Sequence, residues 1–153
     1  MTYEFEIRDL RERKTLCARA TCAHDQIGPT IGILYGKITP VMKEYGLEMD
    51  GPPFCRYMDW RDTDCDIEAG CWIQGDGPKE GEVHEGGTPG GRAVFTRHVG
   101  PYDALKGAHD GCTSYIAANG LKMSCAPFEV YVTDPGMEPD SSKWITDLYY
   151  PVA

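Results

Sequence analysis

The residue most able to do chemistry is a carboxylate inside a short apolar run, Phe128-Glu129-Val130-Tyr131. Strand alternation puts Phe128, Val130 and Val132 on one face and Glu129 with Tyr131 on the other. A carboxylate in such surroundings is costly to bury unless it is hydrogen-bonded, protonated or held for a ligand. The alternative is a solvated glutamate on an outer face. Other groupings weaken on inspection. Asp62–Glu68 (DTDCDIE) has the look of a calcium loop, but Ile67 stands where the loop needs glycine and Ile73 where it needs glutamate. The GGTPGG run ending at Gly91 lacks the Gly-Lys-Ser/Thr of a phosphate loop and reads as a turn. His24, His84, His98 and His109 show no metal-ligand spacing; His98 and His109 could approach one another near a helix start, in a structural role. Cys55 lacks a base in the sequence around it and reads as packing. No cofactor and no metal are called for.

These residues need elements to hold them. Tyr3, Phe5 and Ile7 alternate with charged residues, the pattern of a half-buried strand. A second strand follows near Thr15–Thr21. From Ile27 to Tyr45 the apolar residues Ile27, Ile31, Leu34, Ile38, Met42 and Tyr45 recur at helical spacing, with Gly46 as the stop and Pro40 predicting a kink. Strands are expected at Pro53–Trp60 and Asp66–Gln74. The stretch Gly75–Gly91 holds seven glycines and two prolines and reads as a connection, with a short edge strand at Glu82–Glu85. The order then restarts: strand at Arg92–Val99, helix from Tyr102 to Asn119 with Gly120 as stop, then strands at Pro127–Thr133 and Trp144–Val152. Leu105, Ala108, Cys112 and Ile116 form the inner face of this second helix.

Sliding the sequence on itself by 74 positions lays Gly46, Leu47, Met49, Pro53, Phe54 and Tyr57 on Gly120, Leu121, Met123, Pro127, Phe128 and Tyr131. The two helix faces stay in phase in the same alignment. Cys55, which looks internal, then stands where the second half has Glu129, and this favours an internal place for the glutamate. The expected fold class is α+β: tandem duplicated β-α-β-β units forming an antiparallel sheet with two helices on one face and a central ligand cleft. A single domain is expected over 1–153, with the first repeat at about 1–75 and the second at about 80–153.

Composition excludes several classes. The chain has 153 residues, 41% of them hydrophobic, enough for one domain with a core and too many for a disordered chain. Its formal charge of −9 repels polyanions, so no direct nucleic-acid partner is expected. The start of the chain lacks a secretory signal and no run is long enough for a membrane span, so a cytoplasmic protein without membrane contact is expected. Seven irregularly spaced cysteines, with no C-x-x-C, read as reduced thiols in that compartment.

The run HVGPYDALKGAHDGCTSYIAANGL from His98, then APFEVYVTDP from Ala126 and the terminal DLYYPV, resembles the GyrI-like effector-binding domain family. EYGLEMDGPPFCRYMDW and DCDIEAGCWI are similar to that family's first repeat. The family includes the drug-sensing domains of AraC-type and MerR-type multidrug regulators. The resemblance covers nearly the whole chain and implies a free-standing member that binds bulky, hydrophobic or cationic small molecules in a central aromatic pocket. It implies Glu129 at the pocket floor and aromatic walls, for which Tyr57, Trp60, Trp72, Tyr131, Trp144 and Tyr149 are candidates, with Cys55 beside them; the motif itself places only Tyr131. Asp66 and Glu68 match acidic positions of the first repeat and read as surface or hairpin residues. Ring quadrupoles attract organic cations, and a desolvated carboxylate adds the counter-charge. Some relatives hydrolyse strained, cyclopropane-bearing electrophiles; here Glu129 would be the catalytic general base toward water, with Tyr131 or Trp144 positioning the substrate. A third reading is a protein partner, as for gyrase inhibitors.

Overall fold

The structure, a computed structural model, describes residues 2–153. The strands are β1 (Glu6–Leu10), β2 (Arg13–Ala23), β3 (Phe54–Trp60), β4 (Asp64–Trp72), β5 (His84–Thr88), β6 (Gly91–Val99), β7 (Phe128–Tyr131) and β8 (Ile145–Pro151). The helices are α1 (Ile27–Glu44) and α2 (Leu105–Ala118). The fold is α+β. The chain divides into an N-terminal unit, Glu12–Thr88, and a C-terminal unit made of Pro89–Ala153 with the chain's beginning through Arg11.

In the N-terminal unit the strands run antiparallel in the order β3-β4-β2-β5. From Ile67 to Trp72 strand β4 is buried on both faces, and its two faces differ in kind. Cys65, Ile67, Ala69 and Cys71 share the face that meets α1, which buries Leu34 and Ile38. On the other face Gly70 lies where a Cβ would come within 2.6 Å of the Leu16 carbonyl oxygen and 2.9 Å of the Phe54 ring, so only glycine fits. Tyr35, from α1, donates its hydroxyl proton to the Phe54 carbonyl at 2.6 Å. The helix runs through Pro40 as one element, and the neighbouring Thr39 hydroxyl donates to the Tyr35 carbonyl. The predicted edge strand is real but lies later than expected: Gly86, Gly87 and Thr88 of the GGTPGG run belong to β5, leaving Pro89 and Gly90 as the turn.

In the C-terminal unit the order is β1-β6-β8-β7, again antiparallel. The chain's first strand pairs with β6, Glu6 opposite Phe95 through Leu10 opposite Gly91, so it joins the later half of the chain instead of the first repeat. Helix α2 buries Leu105, Ala108, Cys112 and Ile116 against Val94, Leu148, Tyr150 and Val152. Both helices end as the sequence predicts, at Gly46 with φ 65° and Gly120 with φ 66°.

Burial leaves an alkaline signature. It pushes the thiols of Cys17 and Cys71 up to about 11 and that of Cys112 up to about 12, and raises the hydroxyls of Tyr35 and Tyr150. Unfolded, such thiols lose their protons near 9, while the folded chain keeps them. Their contribution is therefore complete below that value and is lost as pH rises toward 11–12. The thermal midpoint is expected to fall between roughly pH 8 and pH 10.5, and to fall less in Cys112→Ala, as differential scanning fluorimetry would show.

Candidate functional site in the C-terminal unit

The register β7–β8 places Glu129 opposite Leu148 and Tyr131 opposite Thr146, and so on the sheet face that α2 covers. Phe128 and Val130, opposite Tyr149 and Asp147, hold the other face. Glu129 is only 3% exposed. Tyr131 donates its hydroxyl proton to Glu129 Oε1 at 2.8 Å. His109, one helical turn from Leu105 on the α2 face, brings Nε2 to 2.6 Å from Glu129 Oε2. Its Nδ1 lies 2.6 Å from the Tyr150 hydroxyl. An ionised carboxylate only accepts, so Nε2 donates to Oε2, and in the neutral imidazole Nδ1 accepts from the Tyr150 hydroxyl. The carboxylate is thus oriented by a tyrosine on one oxygen and a Tyr150–His109 chain on the other.

Aromatic rings lie beside Tyr131. Tyr102, from the turn that leads into α2, meets Tyr131 edge to face at 5.7 Å and Trp144 at 4.9 Å. Trp144 is fixed by donating its indole N–H to the Glu138 carbonyl at 2.8 Å. Tyr102 is 37% exposed, and Tyr131 and Trp144 are half-buried. Burial, then the nearby charges of Glu129 and Asp134, raise the Tyr102 hydroxyl. Thr146 lies on the same strand face, fully buried, with a hydroxyl that has no hydrogen-bond partner among the described residues. An unmet buried hydroxyl costs about 1–3 kcal/mol. Thr146→Val is therefore expected to keep or raise stability, by about 1 kcal/mol, in urea denaturation.

Of the residues singled out in the sequence, Glu129, Tyr131 and Trp144 belong to this constellation. Tyr149 lies on the opposite face of the sheet, stacked on Phe128 with centroids 5.1 Å apart. The remaining candidates are in the N-terminal unit. Cys55 is fully buried and Tyr57 half-buried, with Trp60 5.8 Å from Tyr57 and stacked on His24 at 4.0 Å. Trp72, 5% exposed, lies beside Phe54 and donates its indole N–H to the Thr88 hydroxyl.

Glu68 corrects the surface reading. It is 2% exposed, because the register puts it opposite both Arg19 and Arg56, to which it is bridged at 2.8 and 3.2 Å. Asp66 is held with Asp64 and Asp59 by Arg61, whose guanidinium, with the Thr21 hydroxyl, holds the Asp66 carboxyl well below the usual carboxylate range. His98 is structural as expected, bonded to the Tyr3 hydroxyl and the Pro101 carbonyl. His109, Tyr102, Tyr150 and Thr146 were not picked out as site residues. A signal for His109 existed: it falls in the stripe of Leu105, Cys112 and Ile116, a polar residue among apolar ones.

Among the described residues no three or more His, Cys, Asp or Glu side chains converge as a metal site, and no helix is long and apolar enough to cross a membrane. The N-terminal unit has an open depression of about 470 Å³ lined by Lys37, Val41, Glu44, Tyr45, Pro78, Glu82 and Val83.

The fold and the family pattern define a small-molecule-binding domain. The GyrI-like small molecule binding domain matches residues 3–153, and the chain belongs to that family. Among solved structures it is similar to the EcmrR C-terminal domain, at 25% identity and a TM-score of 0.86, covering 100% of this chain and 99% of that one. It spans only 57% of the EcmrR chain in an EcmrR–DNA complex, at 24% identity and TM-score 0.88, with 98% of this chain covered. SAV2435 bound to tetraphenylphosphonium is similar at 15% identity and TM-score 0.72, covering 98% of this chain and 94% of that one. A hydrolase from Listeria innocua shares the fold at 18% identity and TM-score 0.64, over 98% of this chain and 92% of that one. No curated protein sequence matches the chain.

Proposed function

We propose that the chain binds bulky lipophilic organic cations, with Glu129 as counter-charge and Tyr131, Tyr102 and Trp144 as ring walls. The observation that carries this reading is the pairing of a buried, doubly oriented carboxylate with partly exposed aromatic rings. Such rings attract an organic cation with up to about 2 kcal/mol once water is excluded, and they lose little entropy in doing so. The carboxylate adds an interaction that neutral ligands cannot use. Without a rigid set of directional donors, selectivity rests on size and charge, which suits many ligands. The likeness to a protein bound to tetraphenylphosphonium supports the choice of that cation as probe.

Calorimetric titration with tetraphenylphosphonium and with uncharged triphenylphosphine oxide tests the proposal. Tighter binding of the cation supports it, and equal affinities remove the charge argument. The Tyr150–His109–Glu129 chain favours a second reading, in which the oriented carboxylate takes a proton from water attacking a strained electrophile. Mass spectrometry of the ligand after incubation separates the two, since only hydrolysis adds the mass of water.

A further inference from the structure

Two thiols of the N-terminal sheet are not among the residues of the proposed site. Cys22 and Cys65 are direct partners in the β2–β4 ladder. Directly opposed residues in an antiparallel pair have Cα atoms about 4.5 or 5.5 Å apart, and both separations fall within the range that a disulfide spans. Their side chains leave the same face of the sheet, so the two sulfurs point the same way. Cys65 is fully buried, while Cys22 is half-buried and reachable from solvent. Trp60, the partner of Cys65 on β3, and His24, stacked on Trp60, stand beside the pair. Of the other cysteines, Cys17, Cys55, Cys71 and Cys112 are buried, and Cys125 belongs to the other unit.

We infer that Cys22 and Cys65 are a peroxide-sensitive dithiol that closes to a cross-strand disulfide. The Cys22 thiolate attacks one oxygen of hydrogen peroxide, giving a Cys22 sulfenic acid and one water once the hydroxide is protonated. The Cys65 sulfur then attacks the Cys22 sulfur and expels the second oxygen as water. Two thiols lose two protons and two electrons, and one peroxide becomes two waters. The order follows from access: the half-exposed sulfur meets the oxidant and the buried one resolves it. Burial and the neighbouring Cys22 sulfur push the Cys65 thiol up to about 11, so the resolving attack is slow at neutral pH. The bond would tie β2 to β4 where the chain turns into α1, closing a loop that contains α1 and β3.

The test is treatment of the whole chain with hydrogen peroxide, followed by alkylation of remaining thiols, digestion and mass spectrometry under non-reducing conditions. The expected result is loss of about two of the seven thiols, recovery of one peptide linking Cys22 to Cys65 at about 2 Da below the sum of its parts, and a raised thermal midpoint reversed by dithiothreitol. Cys22→Ser is expected to abolish the link and leave Cys65 reduced. Should that variant fold poorly, the wild-type peptide map decides alone. Oxidation of Cys22 to a sulfinic acid with Cys65 still free, a Cys22 bond to any other cysteine, or no loss of either thiol would overturn the inference.

Discussion

Glu129→Gln is expected to weaken binding of tetraphenylphosphonium by about ten- to a hundredfold, or roughly 1.4–2.7 kcal/mol, while uncharged triphenylphosphine oxide changes by about threefold or less. Glutamine keeps the shape but offers one acceptor oxygen, so it receives the proton of either Tyr131 or His109. Its NH2 donates to the other, whose hydroxyl or imidazole can turn to accept. The charge is removed while the steric outline stays the same. A buried charge acts at lower effective dielectric than one in water, which makes its removal visible. Because the rings are unaltered, the neutral ligand reports their share separately. Calorimetry with both ligands on both proteins completes a double comparison, and an equal loss for both would mean that glutamine had disturbed the pocket.

The second large effect concerns stability. Glu68→Ala is expected to destabilise the protein by about 3–5 kcal/mol in urea denaturation, because it leaves a buried guanidinium without its counter-charge. Arg56 is 9% exposed; its Nη1 bonds Glu68 and the Gly87 carbonyl, and its Nε already lacks a partner among the described residues. Arg19, with a mostly exposed head, can be rehydrated when Glu68 is lost, whereas Arg56 cannot. The double change Arg56→Met with Glu68→Leu is expected to recover most of the loss, since a well-packed apolar pair often replaces a buried ion pair at no cost. A loss below about 1 kcal/mol for Glu68→Ala would place the pair among the solvated, weak ones.

Alternation made the face shared by Glu129 and Tyr131 legible, and the three- and four-residue spacings made both helices and their glycine stops legible. The pairing of β1 with β6 was not, because period-two patterning marks a strand without naming its partner. His109 escaped for a related reason. Helical phase put it on the inner face, but what lies across from that face depends on the β7–β8 register, which brings Glu129 opposite Leu148. Glu68 escaped because an acidic residue in a charged hairpin reads as solvated until its two cross-strand arginines are known. Long-range register thus supplied most of what the sequence alone withheld.

The most direct test of the central claim is a titration of isotope-labelled protein with tetraphenylphosphonium, followed by amide and indole N–H resonances. The expected result is saturable shifts centred on the backbone of Glu129 and Tyr131, the backbone of Tyr102 and the indole N–H of Trp144. Shifts confined instead to the depression lined by Lys37, Val41 and Tyr45, with Glu129 and Trp144 unmoved at saturation, would contradict the site proposed here.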